Sequence, residues 1–245
     1  MNVCRFIDMK RIILVFFLFG LLIAETKAQT VQYVDAIKFK QLIASEEAIL
    51  LDVRTPQEYS RGHIEGSTSI NISDPDFASK INLLQKDKTI LVYCLSGSRS
   101  AAAAGYMEKI GFKKIYALQR GIMDWSKQGY ALEQSAQMVA STSTVYTEQS
   151  FDKLLKENKL VLVDFNATWC APCKAMNPII DKVSTNFKGK ARVEKVDVEA
   201  NKAITTAFQV QSIPGFVLFK AGEKVWSHSG TISYEDLSVV IKKYL

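Results

Sequence analysis

Cysteine and histidine are both scarce in this chain, with four of one and two of the other in 245 residues. So few sulfurs exclude a disulfide framework of the kind that staples small secreted domains together. Proline (5) and glycine (12) are too sparse for a fibrous or low-complexity chain. No block of lysine or arginine occurs, and no interleaving of basic and aromatic residues. The formal charge of +6 is spread along the chain, so a nucleic-acid footprint is not indicated. No internal repeat is visible. Long apolar runs are absent as well, except at the N-terminus.

That exception has the layout of a secretory signal. Lys10 and Arg11 precede the apolar run from Ile12 to Ala24, and a short polar stretch ends in Thr26-Lys27-Ala28. A basic start, an apolar centre and small residues before a cut fit a cleaved segment 1–28, with Gln29 as the first mature residue and Met9 as an alternative start. The run falls short of the about 20 apolar residues a membrane span needs, although an uncleaved N-terminal anchor is the alternative. Export to the periplasm or beyond is therefore the expectation. Cleavage removes Cys4 and leaves Cys94, Cys170 and Cys173. An odd number of cysteines in an exported protein leaves a thiol free or transiently paired.

The rest of the chain divides in two. Residues 134–145 are mostly small, polar and aperiodic, as a linker should be. Before them, Ala48 to Val53 and Thr89 to Tyr93 are nearly continuous apolar runs suited to buried parallel strands. Helical patterns cover Asp35 to Ala44 and Ser98 to Ile110, the second closed by Gly111. After the linker, strands are expected at Leu160 to Phe165 and Ala191 to Val198, with a hairpin of Phe216 to Phe219 and Lys224 to His228 about Ala221-Gly222. Helices are expected from about Pro172, from Asn201 to Phe208 and from Ser233, where Asp236 forms a variant capping box. Both halves, 29–133 and 146–245, are thus α/β.

In the second half, Trp169-Cys170-Ala171-Pro172-Cys173-Lys174 sits where a strand passes into a helix. Cys-x-x-Cys brings two sulfurs within disulfide reach across one helical turn. Unpaired N–H groups and the helix dipole favour the Cys170 thiolate there. Cys170, expected to be the more exposed thiol, would attack a substrate disulfide, and Cys173 would resolve the mixed disulfide. Half a zinc site looks the same, but this half offers only His228 as a further soft ligand and no second cysteine pair.

Together with Val161 to Phe165, Pro178 and Ser212-Ile213-Pro214-Gly215, this segment resembles the thioredoxin family over about residues 146–245. The resemblance implies a thioredoxin fold with a mixed central sheet. It implies a cis Ile213–Pro214 bond that faces the cysteines and, with Trp169, shapes a substrate groove. It also implies that Asp164 is a buried carboxylate behind Cys173 that moves its proton, with Lys195 as charge partner. A carboxylate with apolar neighbours should have a raised pKa and accept a proton readily. Asn166, Ala171 and Gly215 depart from the usual pattern of the family and bear on partner choice and redox tuning. Pro172 and Ile213 resemble its reducing members.

In the first half, Cys94-Leu95-Ser96-Gly97-Ser98-Arg99-Ser100 joins a strand to an alanine-rich helix. Gly97 permits a tight turn, and the N–H groups of Leu95 to Ser98 then converge on the sulfur as an anion nest. Arg99 adds a positive fork suited to an oxyanion or a persulfide. Four residues separate Cys94 from Arg99, one fewer than in the phosphate cradle of tyrosine phosphatases. With Leu51 to Tyr59, Gly62 to Ser67 and Gly121 to Trp125, the loop resembles a single-domain rhodanese over about residues 30–133. That resemblance implies a parallel-sheet α/β domain whose Cys94 takes sulfane sulfur from a donor such as thiosulfate. Asp52, Arg54 and His63 would then be scaffold.

The resulting expectation is an exported thiol–disulfide oxidoreductase fused to a sulfurtransferase, with no cofactor. Its partners would be protein disulfides or persulfides, a small sulfane-sulfur donor and an external electron donor, with a membrane carrier as one candidate. An interaction-only role for the first domain, and an oxidising role for the dithiol, stay open.

Overall fold

The computed structural model describes residues 30–45, 47–134 and 143–245. The expected signal segment, with Cys4, lies outside these residues, and so does most of the expected linker.

The N-terminal domain is built on five parallel strands in the order β1-β5-β4-β2-β3. They are β1 (Val31–Val34), β2 (Ala48–Asp52), β3 (Thr68–Ser69), β4 (Thr89–Tyr93) and β5 (Lys114–Leu118). Central β4 is buried along its whole length, which is why its sequence shows no polar alternation. Its side chains still alternate between faces. Leu91 and Tyr93 join a cluster with Phe39 of α1 (Ala36–Ser45) and Trp125 of α5 (Gly121–Lys127). Ile90, Val92 and Cys94 join the opposite cluster, with Ile81 of α3 (Phe77–Asn82) and Met107 of α4 (Ser98–Lys109). Helix α2 (Pro56–Arg61) completes the domain, its start fixed by a Thr55/Glu58 capping box and by Pro56 in the first turn.

In the C-terminal domain the sheet is mixed, ordered β7-β6-β8-β9. Strand β6 (Leu160–Asn166) runs parallel to β7 (Arg192–Asp197) and antiparallel to β8 (Gly215–Lys220), which turns back into β9 (Glu223–Ser229). Leu160 and Leu162 pack with Ile180 of α7 (Ala171–Asn186) and Leu237 of α9 (Tyr234–Tyr244). Val161, Val163 and Phe165 face the other way, in a cluster with Phe151 of α6 (Glu148–Glu157) and Ile204 of α8 (Lys202–Ala207). That cluster does not end with the domain. The same buried apolar continuum holds Phe77, Ile81 and Leu84 of the first domain with Trp169, Cys170 and Ile213 of the second.

Candidate active sites

The C-terminal site forms where β6 runs out and α7 begins. Cys170 caps the helix, its Sγ accepting the Cys173 N–H at 3.2 Å, and the two sulfurs are joined as a disulfide. Pro172 stands in the first turn, where its missing N–H costs no helix hydrogen bond. The Ile213–Pro214 peptide is cis, and Ile213 shares the buried cluster of the two cysteines. Asp164 lies on β6, 2% exposed, and its Oδ1 has no hydrogen-bond partner among the described residues. Burial pushes its carboxyl up to about 7, against the lowering effects of Lys195 and of an Asn166 hydrogen bond. That amide donates to the Asp164 carbonyl at 3.1 Å and to Oδ2 at 3.4 Å.

The position of Lys195 adds detail to one expectation, and the exposure of Cys170 changes another. Lys195 is the sheet neighbour of Asp164 on β7, yet its ammonium is ion-paired with Asp181 at 2.8 Å and bonded to Asn177 at 3.1 Å. It acts on Asp164 only through its field, because its flexible stem carries the charge out to the surface. Cys170 is 1% exposed and Cys173 4%, so Cys170, expected to be the more exposed thiol, is not the more open of the two. The N-terminal domain lies over it. Ala171 N–H donates to Thr68 Oγ1 at 3.1 Å, Ser69 N–H to the Trp169 carbonyl at 3.3 Å, and Ile213 N–H to the Leu83 carbonyl at 2.9 Å. Trp169 is buried too, its Nε1 donating to Glu199 at 2.8 Å.

The N-terminal site has the same plan. Cys94 follows β4, and its Sγ accepts the Gly97 N–H at 3.1 Å and the Ser100 hydroxyl at 3.5 Å. Burial opposes ionisation of this thiol, but hydrogen bonds from Ser100, Gly97 and Ser96 outweigh it and hold its pKa below the ordinary value. Leu95, Ser96 and Ser98 are exposed around the buried sulfur. The loop is strapped from behind by the start of α5, where Ile122 N–H donates to the Cys94 carbonyl at 2.8 Å and Met123 N–H to that of Leu95 at 3.2 Å.

Arg99 is placed differently from expectation. Its two terminal nitrogens bond Glu58 at 2.8 and 2.7 Å, so the fork is engaged by a carboxylate instead of standing free over the sulfur. Arg99 also holds the Glu58 carboxyl down, to about 2. Asp52 and Arg54 form a buried ion pair at 2.6 Å that also ties the Gly62 carbonyl at 2.7 Å. His63 stacks on Tyr59 at 3.8 Å and bonds its carbonyl at 3.1 Å. None of these three reaches the sulfur by any contact described. Among the described residues no group of His, Cys, Asp and Glu is arranged to hold a metal ion.

Two family models match the chain, one described as a Rhodanese-like domain over residues 35–128 and one as Thioredoxin over residues 142–243. Among curated relatives, the thioredoxin of Staphylococcus saprophyticus is 39% identical over 99 residues, covering 40% of this chain and 94% of that protein. The chain belongs to the thioredoxin family. It is a rhodanese-like domain followed by a thioredoxin domain. The thioredoxin of Staphylococcus haemolyticus is 38% identical over the same shares of both chains. Among solved structures, a Plasmodium falciparum thioredoxin is 33% identical and matches 42% of this chain and 100% of its own, with a TM-score of 0.39. A mutant thioredoxin from Halobacterium salinarum is 33% identical, matching 41% of this chain and 87% of its own, with a TM-score of 0.38.

Five residues of these sites escape a reading of the sequence: Glu58, Ser100, Glu199, Thr68 and Leu83. Only Glu58 has a signal, as the fourth residue of Thr55-Pro56-Gln57-Glu58, and that signal announces a helix cap, not a partner for Arg99.

Proposed function

We propose that the protein is an exported thiol–disulfide oxidoreductase, working as a reductant, whose rhodanese-like domain carries sulfane sulfur on Cys94. One observation supports both halves of this reading. Each site places a cysteine sulfur at a helix start, where it accepts the N–H of the residue three positions on: Gly97 for Cys94 and Cys173 for Cys170. Such a donor stabilises the anionic, attacking form of sulfur.

The Cys94 thiolate attacks the outer sulfur of thiosulfate, sulfite leaves, and a persulfide remains. With the Cys170–Cys173 pair reduced, the Cys170 thiolate attacks the outer sulfur of that persulfide and Cys94 leaves as thiolate. Cys173 then attacks the sulfur of Cys170, a disulfide forms, and hydrosulfide departs. The dithiol loses two electrons and the sulfane sulfur gains them. An external dithiol or membrane electron carrier restores the dithiol. In the pose seen here both sulfurs are buried, and β3, which touches the Cys170 loop, lies two strands from β4, about 10 Å across the sheet, so the exchange needs the domains to part.

Incubating the reduced chain with thiosulfate tests the coupling. Sulfide release should fall by at least about tenfold in Cys170→Ser and in Cys94→Ala, and unchanged release in Cys170→Ser refutes the transfer. A mature N-terminus at Gln29 on the secreted or periplasmic protein checks export.

A second reading has its own support. Cys94 is fully buried and Arg99 is engaged by Glu58, which suits a domain that only docks clients. Cys94→Ala separates the two. Loss of thiosulfate:cyanide sulfur transfer supports the enzyme, whereas absence of that activity in both forms, with client binding intact, supports the docking module.

A further inference from the structure

A dithiol that serves outside proteins needs its attacking sulfur accessible in line with the disulfide it breaks. Here Cys170 is 1% exposed, and Trp169 and Ile213 beside it are 3% and 2% exposed. What covers them is the chain's own first domain, and it does so with backbone chemistry. The Ala171 N–H, the Trp169 carbonyl and the Ile213 N–H flank the disulfide and the cis-proline, and none is left to water. They are bonded to Thr68 Oγ1, the Ser69 N–H and the Leu83 carbonyl.

Polar side-chain contacts at the edge of this patch also join the domains. Lys80 of α3 pairs with Glu199 at 3.1 Å, and Glu199 also accepts from Trp169. Lys202 pairs with Asp76 at 3.8 Å, and Gln85 donates to the Ser229 carbonyl at 3.3 Å. Phe77, Ile81 and Leu84 belong to the same buried apolar cluster as Trp169 and Ile213.

We propose that the rhodanese-like domain is a built-in competitor for the client-binding face of the thioredoxin domain: Thr68, Ser69 and Leu83 fill the backbone bonds an extended client would make, and a client disulfide reaches Cys170 only when the domains part. This rests on the dithiol reading above. The apparent client rate is then the intrinsic rate multiplied by the fraction of molecules that are open. Clients that bind the open face displace the first domain, and contacts that hold the domains together slow every client alike.

The test uses the full chain, reduced, and follows insulin disulfide reduction, iodoacetamide alkylation of Cys170 and hydrogen exchange at the Ile213 and Ala171 amides. Lys80→Glu sets two carboxylates against each other at Glu199, and Lys202→Glu does the same at Asp76. Neither residue touches the sulfurs, and either variant serves if the other folds poorly. Lys80→Glu should speed both reactions by about three- to fivefold, the scale of a partly exposed ion pair, and Lys202→Glu, whose pair is longer and mostly exposed, by less. Each should also speed exchange at Ile213. Added salt should accelerate the unmodified chain more than the variants. Fast exchange at Ile213 in the unmodified chain overturns the proposal, and so do unchanged reaction rates across both variants. Absence of insulin reduction in every form would instead overturn the dithiol reading, with alkylation and exchange still deciding the docking.

Discussion

Asp164 is the residue on which the thioredoxin site places the largest electrostatic strain. Burial pushes its carboxyl up to about 7, against about 3.9 in an unfolded chain. The folded state therefore binds the extra proton between those values. Stability falls as pH rises through that window and levels off above it. Asp164→Asn should be more stable than the parent at pH 8 by a few kcal/mol, bounded at about 4, with the gap closing toward pH 4. Urea midpoints at pH 5 and pH 8 measure this, and an equal gap at both would refute the assignment. The same variant should slow disulfide exchange at neutral pH, because an amide cannot take the proton that the carboxylate can, whose Oδ1 has no partner among the described residues.

Glu58 shows the opposite sign. Arg99 holds it at about 2, so its contribution is complete above its ordinary carboxylate value and is lost as pH falls toward 2. Both side chains are a quarter to a third exposed, so Glu58→Gln should cost only about 1–2 kcal/mol at pH 7 and little by pH 2. It should also free the Arg99 fork and lower the KM for thiosulfate. At the neighbouring sulfur, Ser100→Ala removes the first of the bonds that hold the Cys94 thiol down. The pH midpoint of persulfide formation should move upward, and a midpoint that stays put would separate Ser100 from the chemistry.

On the scale of elements, the Cys94 loop depends on one backbone shape. Gly97 has φ +105°, and a Cβ there would meet the Gln119 carbonyl oxygen at 1.9 Å. Both the left-handed region and the backbone contact exclude a side chain. Gly97→Ala should cost about 2 kcal/mol or more and abolish persulfide formation. Gly105, within the same helix α4, has nothing within 4 Å of its Cβ position, so Gly105→Ala should stabilise by about 0.5–1 kcal/mol. Thermal melts of the two variants test the contrast, and equal shifts would show that the loop is not locked. The glycine and the cysteine are legible in the sequence, as are strands β2, β4 and β6, because burial on both faces leaves their runs almost unbroken. Strand β3 is only two residues long, too short for any period to show. Helix α6 carries Phe151, Leu154 and Leu155 on one face behind a Thr147 cap. Ser150 stands where a capping box usually has Glu or Gln, and that weakens the signal at its start.

For the whole molecule, what no residue pattern announces is that one domain closes over the other's sulfur. The bonds that do it come from backbone groups of Ala171, Trp169, Ser69, Ile213 and Leu83, together with the Thr68 hydroxyl. Backbone groups are the same whatever side chain they carry, so the two sites are readable and their arrangement is not. That arrangement has a thermodynamic consequence. Each domain also keeps a cluster of its own on its far sheet face, so either can hold together without the other. The shared interface is lost when the less stable domain unfolds, and the second domain then unfolds with no interface left to lose. Weakening the interface should therefore move only the first transition. Lys80→Glu should lower the stability of the first domain to unfold by about 0.5–1 kcal/mol and leave the second unchanged. Trp125 reports on the N-terminal domain and Trp226 on the C-terminal one, whereas Trp169 lies in the interface and senses both. Tryptophan-to-phenylalanine variants thus let urea unfolding be followed separately in each. Equal displacement of both transitions would mean that the domains unfold as one unit, and no displacement of either would mean that the Lys80–Glu199 pair does not hold them together.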